Sequence, residues 1–190
     1  MISIYKLSLV LVFVTLVSAN ILQAQMESKS EPGNKIVLVN EFLGQIQFVE
    51  GRIMDLAKAI PADKYTWRPA DGIRSIAESY RHVTFANYGF SKVSGLESSE
   101  GSGMEGKMKE FEKATTNKDK ILEDLTQSFE KLKASVSSLN QAQLDEQIEV
   151  FGMEMSRRSF VIGTLNHLHE HLGQSIAYAR MNGITPPWSK

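Results

Sequence analysis

The stretch that decides the fold is residues 157–183, RRSFVIGTLNHLHEHLGQSIAYARMNG. Its apolar residues recur every three or four positions, which is the period of an amphipathic helix with one buried face. Ser156 precedes the stretch as a suitable N-cap, and Gly183 follows Asn182 as the kind of residue that ends a helix. The sequence therefore predicts a long helix that begins after Ser156 and ends at Asn182.

Three further helices are predicted before this one, over residues 35–59, 75–90 and 116–139. Each carries apolar residues at every third or fourth position, and no stretch shows the alternation of a strand. Residues 93–116 and 140–156 form long connections, which can cross the end of a bundle. The predicted fold class is all-α, a four-helix bundle with long connections between helices two and three and between helices three and four.

Residues 1–24 have the layout of a secretory signal peptide. Lys6 supplies a basic start, an apolar run covers residues 7–17, and small residues offer cleavage after Ala19 or Ala24. The run is shorter than the roughly 20 residues of a membrane span, which disfavours the alternative of an uncleaved anchor. We therefore predict export, to the bacterial periplasm or beyond, and no membrane attachment after cleavage.

The remainder of the chain is predicted to form a polar leader, residues 25–34, and one domain, residues 35–190. Cleavage removes a single charged residue, Lys6, so the net charge changes from −1 to −2. A chain with this near-neutral charge gives no indication of the basic face that a nucleic-acid partner would need. The chain has no cysteine, so a metal site must use histidine or carboxylate ligands. The oligomeric state stays open, a homodimer included.

Three of the four histidines are candidate metal ligands. His167 and His171 lie one turn apart beside the apolar face of the last helix, so both imidazoles can reach one ion. His82 lies in the second helix, where small neighbours leave space beside its ring. His169 falls on the opposite margin and is excluded from the set. Three protein ligands would leave an open coordination position, which is the pattern of a catalytic site.

Two glutamates are candidates for a catalytic acid or base. Glu78 lies one turn before His82, but it also completes a capping box with Ser75, which explains it without chemistry. Glu170 flanks His167 on the surface side, where a solvated charge is the alternative explanation.

Residues 67–83 read WRPADGIRSIAESYRHV, and residues 167–188 read HLHEHLGQSIAYARMNGITPPW, with the pattern H-x-x-x-H-x-G-Q. Together the two stretches resemble the second-helix region and the last helix of the DinB/YfiT-like superfamily, and the similarity extends over residues 35–189. The resemblance implies a four-helix bundle with long connections and a triad of His82, His167 and His171. It also implies that this triad binds nickel, zinc or a similar ion.

Members of that superfamily with assigned activities include thiol-dependent S-transferases and a thiol-dependent isomerase. An exported chain would meet fewer cytosolic thiols, which leaves hydrolysis open beside thiol transfer. The first hypothesis is therefore an exported metal-dependent enzyme, a thiol S-transferase or hydrolase, with a small molecule or thiol as partner. Zinc or nickel is the expected metal, while three imidazoles by themselves suit zinc, nickel, copper or iron alike. The second is a non-catalytic metal- or ligand-binding stress protein. The third is a plain bundle whose histidines only pack and hydrogen-bond.

Overall fold

The computed structural model describes residues 32–94 and 104–189. The predicted signal peptide, residues 1–24, lies outside the described residues, as does the leader up to residue 31. The chain divides into two compact units, Met1–Leu38 and Val39–Lys190, and the first is described only over its helical residues 32–38. Over the described ranges, no helix combines the length and apolarity that crossing a membrane requires.

The protein is mostly helical, with one small sheet, and the four predicted helices are all present. The elements are, in chain order, α1 (Pro32–Ala59), α2 (Ile76–Ser94), α3 (Met104–Lys113), α4 (Lys118–Ser137), α5 (Gln141–Asp145), β1 (Gln147–Val150), β2 (Met153–Ser156) and α6 (Arg157–Met181). Short 3-10 turns cover Ala62–Lys64 and Pro187–Ser189. The predicted four-helix bundle is confirmed, and α1, α2, α4 and α6 are its helices.

The predicted apolar stripes form the interior of the bundle. Helix α2 is central, because it packs against α3, α4 and α6. Complete burial of one large apolar side chain stabilises the fold by about 1.5–3 kcal/mol, so these stripes supply most of the driving force. The fully buried aliphatic and aromatic side chains include Ile46, Ile53, Leu56, Ile60, Ile76, Ile121, Leu125, Phe129 and Leu132.

Tyr65 holds the connector between α1 and α2 against the bundle. Its side chain is fully buried, and its hydroxyl donates to the Ala57 carbonyl over 2.8 Å. The backbone N–H of Ala77 donates to the Tyr65 carbonyl, and the N–H of Ile76 donates to the Trp67 carbonyl. These bonds engage N–H groups of the first turn of α2, which would otherwise lack partners. The connector therefore determines where α2 begins.

Helix α3 lies inside the segment 93–116 that was predicted to be a connection. The buried side chain of Arg81 on α2 holds it in place. The Arg81 Nε donates to the Phe111 carbonyl over 2.6 Å, and the guanidinium lies 4.0 Å from the centre of the Phe111 ring. The Arg81 Nη1 also donates to Asp124 of α4 over 3.2 Å. One arginine thus joins three helices.

The second predicted connection, 140–156, contains the short helix α5 and an antiparallel hairpin of β1 and β2, so the prediction of no strand is wrong. Gln147 pairs with Ser156 and Val150 pairs with Met153. Phe151 and Gly152 form the turn between the strands, with φ angles of 54° and 76°. Two positive φ angles are typical of the tight hairpin turn whose twist matches that of the strands.

Arg157 attaches the base of this hairpin to the end of α2. Its backbone N–H donates to the Glu146 carbonyl over 2.9 Å, and its Nη2 contacts the Glu146 carboxylate over 2.9 Å. Its Nη1 donates to the Val93 carbonyl in the last turn of α2. A cation is favoured there, because the last carbonyls of a helix carry negative partial charge. The hairpin is therefore fixed at both α2 and α6.

The predicted helix boundaries are close to those of the structure. The Ser156 side chain accepts from the Ser159 N–H at the start of α6, and Gly183 has a φ of 74° just after its end. The capping box of Ser75 and Glu78 is formed in both directions. Helix α4 begins at Lys118, two residues after the predicted start.

The cap of α4 gives a direct test of the fold. The Asn117 side chain accepts from the Lys120 N–H over 2.9 Å. Replacement of Asn117 by alanine leaves this N–H without its acceptor and should lower the free energy of unfolding by about 1 kcal/mol. Thermal unfolding of the full chain should show a Tm lower by about 2–4 °C. Asn117→Asp keeps an acceptor and should unfold close to wild type; an equal loss in both variants would contradict this.

Candidate metal centre

The three predicted histidines come together at the contact between α2 and α6. His82 lies on α2, and His167 and His171 lie one turn apart on α6. One ligand nitrogen from each ring can be chosen so that all three lie within 4.8 Å of one another. The rings are partly buried, and His82 retains 12% of its side-chain exposure. Two helix faces therefore create a cluster that neither could form alone.

The orientation of His82 is fixed by Glu112 of α3. The Nδ1 of His82 lies 2.7 Å from the Oε1 of Glu112, whose side chain is only 7% exposed. The second Glu112 oxygen accepts from the Nε of Arg74 over 3.0 Å. Because the carboxylate is an acceptor, His82 carries its proton on Nδ1, and its Nε2 presents a lone pair. That Nε2 lies 3.1 Å from the Nε2 of His167.

A second series of hydrogen bonds fixes the orientation of the His171 ring. Its Nδ1 lies 2.9 Å from the Oε1 of Gln174, and the Nε2 of Gln174 donates to the Tyr178 hydroxyl over 3.0 Å. The Tyr178 ring packs edge-on against Trp67 with 5.5 Å between the ring centres. Because the amide oxygen of Gln174 accepts from Nδ1, the His171 Nε2 is also left with a lone pair. Acceptors bonded to the outer nitrogen orient metal-binding histidines in this way.

The separation of His82 and His167 matches that of two nitrogens bound to one divalent ion. Two Nε2 atoms that each lie about 2.0–2.1 Å from a zinc ion are roughly 3–3.5 Å apart, and His82 and His167 show 3.1 Å. Without a cation or a proton between them, facing lone pairs would repel. The Nδ1 of His167 is buried and has no hydrogen-bond partner among the described residues. The cluster is thus compatible with a divalent metal site.

The electrostatic environment keeps the three rings neutral at pH 7. Burial and the neighbouring His171 and His82 rings lower the pKa of His167 to about 3. Burial also lowers the pKa of His82, which the hydrogen bond to Glu112 only partly offsets. Burial lowers the pKa of His171 against the opposing effect of Gln174. A neutral imidazole is the form that binds a metal, so the site needs no deprotonation before binding.

The proposed acid or base residues occupy different places from the triad. Glu78 bonds the Ser75 N–H over 2.7 Å and the Arg68 guanidinium over 3.2 Å. Burial alone would raise the pKa of Glu78, but the Ser75 and Arg68 hydrogen bonds hold it below its usual value. Glu170 is exposed on α6, where its charge opposes the lowering of the His171 pKa. Neither belongs to the group of side chains that could hold an ion.

Sequence reasoning missed Glu112, the residue that contacts the triad from the third helix. It lies in a segment rich in glycine, serine and charge that was predicted to be a connection. A signal was present, because Met108 and Phe111 are three residues apart and give α3 an apolar side. The fourth histidine, His169, is exposed and bonds the Leu165 carbonyl of its own helix over 2.9 Å, as its exclusion from the set predicted.

Two cavities of opposite character flank the triad. The first is a charged cleft of about 520 Å³, which meets the site through Glu112 and Gln174. Its lining includes four cationic side chains: Arg68, Arg74, Lys109 and Lys113. The second is an apolar cavity of about 390 Å³ bordered directly by His82 and His167. Both volumes are of the size of small-molecule sites, about 300–1,000 Å³.

Comparison with known proteins identifies relatives in sequence. The model of a family described as the DinB family matches residues 26–190. The chain is also 27% identical to the protein YjoA of Bacillus subtilis (strain 168) over 134 residues. This alignment covers 69% of the chain and 82% of YjoA.

Solved structures share the fold. A DinB-like protein from Bacillus cereus ATCC 10987 gives a TM-score of 0.64 at 18% identity, covering 77% of this chain and 93% of that one. The YjoA structure from Bacillus subtilis gives 0.60 at 23% identity, covering 76% and 93%. A mycothiol-dependent maleylpyruvate isomerase gives 0.61 at 8% identity, covering 70% of this chain and 59% of the isomerase.

Replacement of a triad histidine should abolish metal binding. We expect the full chain to retain about one equivalent of zinc or nickel after gel filtration, since three imidazoles and an open position suffice for a site. His167→Ala removes a nitrogen from the centre of the cluster and should retain almost none. His169→Ala removes a histidine from the same helix but outside the cluster, and should retain the wild-type amount. Equal metal content in the two variants, measured by mass spectrometry, would contradict the assignment.

Replacement of Glu112 should weaken the site without removing a ligand. Glu112→Gln keeps the shape of the side chain but loses the charged acceptor of the His82 Nδ1–H. Loss of such a partner typically weakens metal binding by about 10–100-fold. Competition with a chromogenic chelator measures the change, and Glu110→Gln, an exposed position on the same helix, serves as the control. An affinity of Glu112→Gln equal to that of the control would show that Glu112 does not support the site.

Proposed function

The chain belongs to the DinB family, and we propose that it is a metal-dependent enzyme that transfers a thiol, or adds water, to a small electrophile. The observation that carries this proposal is the convergence of three neutral imidazoles beside a cavity. His82, His167 and His171 would hold the ion and leave part of its coordination sphere open to a substrate. Zinc and nickel both suit three nitrogen ligands.

A divalent ion held by the triad would supply Lewis acidity, which lowers the pKa of a bound thiol or water and so produces a nucleophile at neutral pH. The protein's own side chains keep the ligands in position for this role. Glu112 and Gln174 hold the outer nitrogens of two rings, so both inner nitrogens stay directed at one point. Partial burial lowers the pKa of each ring and so keeps the three rings unprotonated at neutral pH.

The charged cleft supports a thiol as the second substrate. Three of its four cations are ion-paired, with Glu78, Glu112 and Glu105, so the cleft keeps a small positive excess that favours a molecule with anionic groups. A structural neighbour of the same fold depends on mycothiol, which is a thiol. In the proposed transfer, sulfur forms a bond to an electrophilic carbon and the leaving group departs with the bonding electrons. The thiol proton is released to solvent through the cleft.

Hydrolysis is the second form of the same proposal. The oxygen of water bonds to the electrophilic carbon, the leaving group departs with its electron pair, and a proton passes to solvent. This form fits an exported protein, which would meet few cytosolic thiols. Export itself is proposed from Lys6 and the apolar run of residues 7–17, the features of a signal peptide.

One observation favours the alternative of a non-catalytic metal- or ligand-binding stress protein. The carboxylates nearest the triad are already engaged, Glu112 by His82 and Arg74, and Glu78 by Ser75 and Arg68. Glu170, the remaining candidate, is exposed on α6 and lies outside the group of side chains that could hold an ion. A bound metal would then act by stabilising the folded state through mass action.

Metal-dependent turnover separates the two functions. Reaction of 1-chloro-2,4-dinitrobenzene with cysteine tests thiol transfer, and 4-nitrophenyl acetate tests hydrolysis. For the enzyme, we expect at least one activity to disappear on treatment with a chelator and to return when zinc or nickel is added. His169→Ala should behave as wild type, and His171→Ala should stay inactive after metal addition. A metal-loaded chain that turns over neither substrate, while its Tm rises with metal, would favour the binding protein.

A further inference from the structure

The apolar cavity beside the triad is almost free of charge. We call it the phenylalanine chamber, after its aromatic lining of Phe85, Phe90, Phe151 and Phe160, to which Val93 and Met108 add. The only carboxylate in its described lining, Glu105, is ion-paired with Lys109 over 2.7 Å. The chamber therefore offers no charged partner to a ligand, in contrast to the cationic cleft.

The chamber reaches the triad directly. His82 and His167 are part of its lining, and the Phe90 ring packs edge-on against the His167 ring with 5.1 Å between centres. Phe90 also packs edge-on against Phe160, with 5.7 Å between centres. A molecule in the chamber would thus lie against two of the three rings, whereas the cleft meets the site only through Glu112 and Gln174.

Phe151 is held in the chamber lining at a conformational cost. Its φ of 54° lies in the left-handed region, which is unfavourable for a bulky residue and is usually occupied in such turns by asparagine or glycine. Its side chain is 65% exposed, so little burial compensates for the strain. Strained residues of this kind concentrate at functional sites. The hairpin that carries Phe151 is held in place because Arg157 joins it to α2 and because Val150 is buried against Val93 and Phe160.

Small residues on α2 keep the chamber open. Ala86 and Gly89 lie on the chamber side of the helix. Ala86 follows His82 by one turn, and Gly89 follows it by two. A Cβ added at Gly89 would meet no atom of the described residues within 4 Å. Glycine inside a helix lowers its stability relative to most other residues. Gly89 therefore leaves an open volume beside α2, although most other residues at this position would make the helix more stable.

We propose that the phenylalanine chamber binds the uncharged, apolar part of the substrate, and that Phe151 is a specificity-determining contact at its opening. The inference rests on the proposed function, because it assigns the electrophile of that reaction to an apolar class and leaves anionic groups to the cleft. An aromatic or aliphatic body in the chamber would hold the reacting carbon beside His82 and His167. Phe151 and Phe90 would cover it from the hairpin and from α2.

Binding of an uncharged fluorescent probe, N-phenyl-1-naphthylamine, to the full chain tests the chamber. Gly89→Leu fills the open volume and favours the helix, and Phe151→Asn removes the ring while relieving the turn. We expect both variants to bind the probe more weakly than wild type by a factor of roughly ten or more, because the blockage or loss of one apolar contact changes binding on that scale. Their Tm values should equal or exceed that of wild type, so that weaker binding cannot be attributed to unfolding.

Two control variants carry comparable changes away from the chamber. Gly51→Leu makes the same substitution at an exposed position of α1, and Met153→Thr removes an exposed apolar side chain from the same hairpin. Both should bind the probe as wild type does. Absence of saturable binding, or equal affinity in all four variants, would overturn the proposal.

The same titration, repeated on metal-free and metal-loaded protein, keeps this proposal separate from the proposed function. The probe needs the chamber but no metal, so we expect the pattern among the variants to be the same in both forms. If that pattern holds while no metal-dependent turnover exists, the chamber is supported and the enzyme hypothesis fails. If turnover requires metal but the probe binds all variants equally, the chamber assignment fails alone.

Discussion

Three partly buried imidazoles that meet between α2 and α6 impose the main electrostatic requirement on the interior of the bundle. Buried imidazole nitrogens are costly unless they are satisfied, and the Nε2 atoms of His82 and His167, 3.1 Å apart, need a proton or a cation between them. A divalent cation bound by the three rings would meet this requirement for all of them at once. The neighbouring groups are consistent with that solution, because Glu112 and Gln174 accept from the outer nitrogens and leave the inner ones bare. The triad explains why hydrogen-bonded polar side chains such as Glu112 and Gln174 lie beside an apolar interior.

The elements outside the four main helices serve this site. Helix α3 brings Glu112 to His82, and Arg81 fixes α3 through the Phe111 carbonyl. The hairpin brings Phe151 to the opposite side of the triad, where it borders the apolar cavity. The bundle helices carry the ligands, while the shorter elements supply the surroundings that separate a charged side from an apolar side. This division gives one site two chemically distinct approaches.

Features that depend on helical periodicity could be predicted from the sequence, whereas a contact between distant residues and a short hairpin could not. Helical periodicity identified the four bundle helices, and the one-turn spacing of His167 and His171 with His82 on a second helix identified the triad. The spacing of Met108 and Phe111 could have located helix α3, but the Glu112 contact itself joins residues 30 positions apart, which periodicity within one helix does not indicate. The strands contain four residues each, too few for a clear alternation, and Phe151 occupies a turn position where asparagine or glycine would have given the signal. The sequence position of Glu78 was consistent with a helix-capping role and with a catalytic acid or base, and the structure shows Glu78 in the capping role.

X-ray absorption spectroscopy of the zinc- or nickel-loaded chain tests whether one ion is bound by the three imidazoles. We expect a first shell dominated by nitrogen at about 2.0–2.1 Å, with the outer-shell scattering of roughly three imidazole rings and room for a further light ligand. A shell made mainly of carboxylate oxygens, or one with the scattering of a single imidazole, would contradict it. Such a result would place the metal elsewhere and leave the three rings as packed side chains.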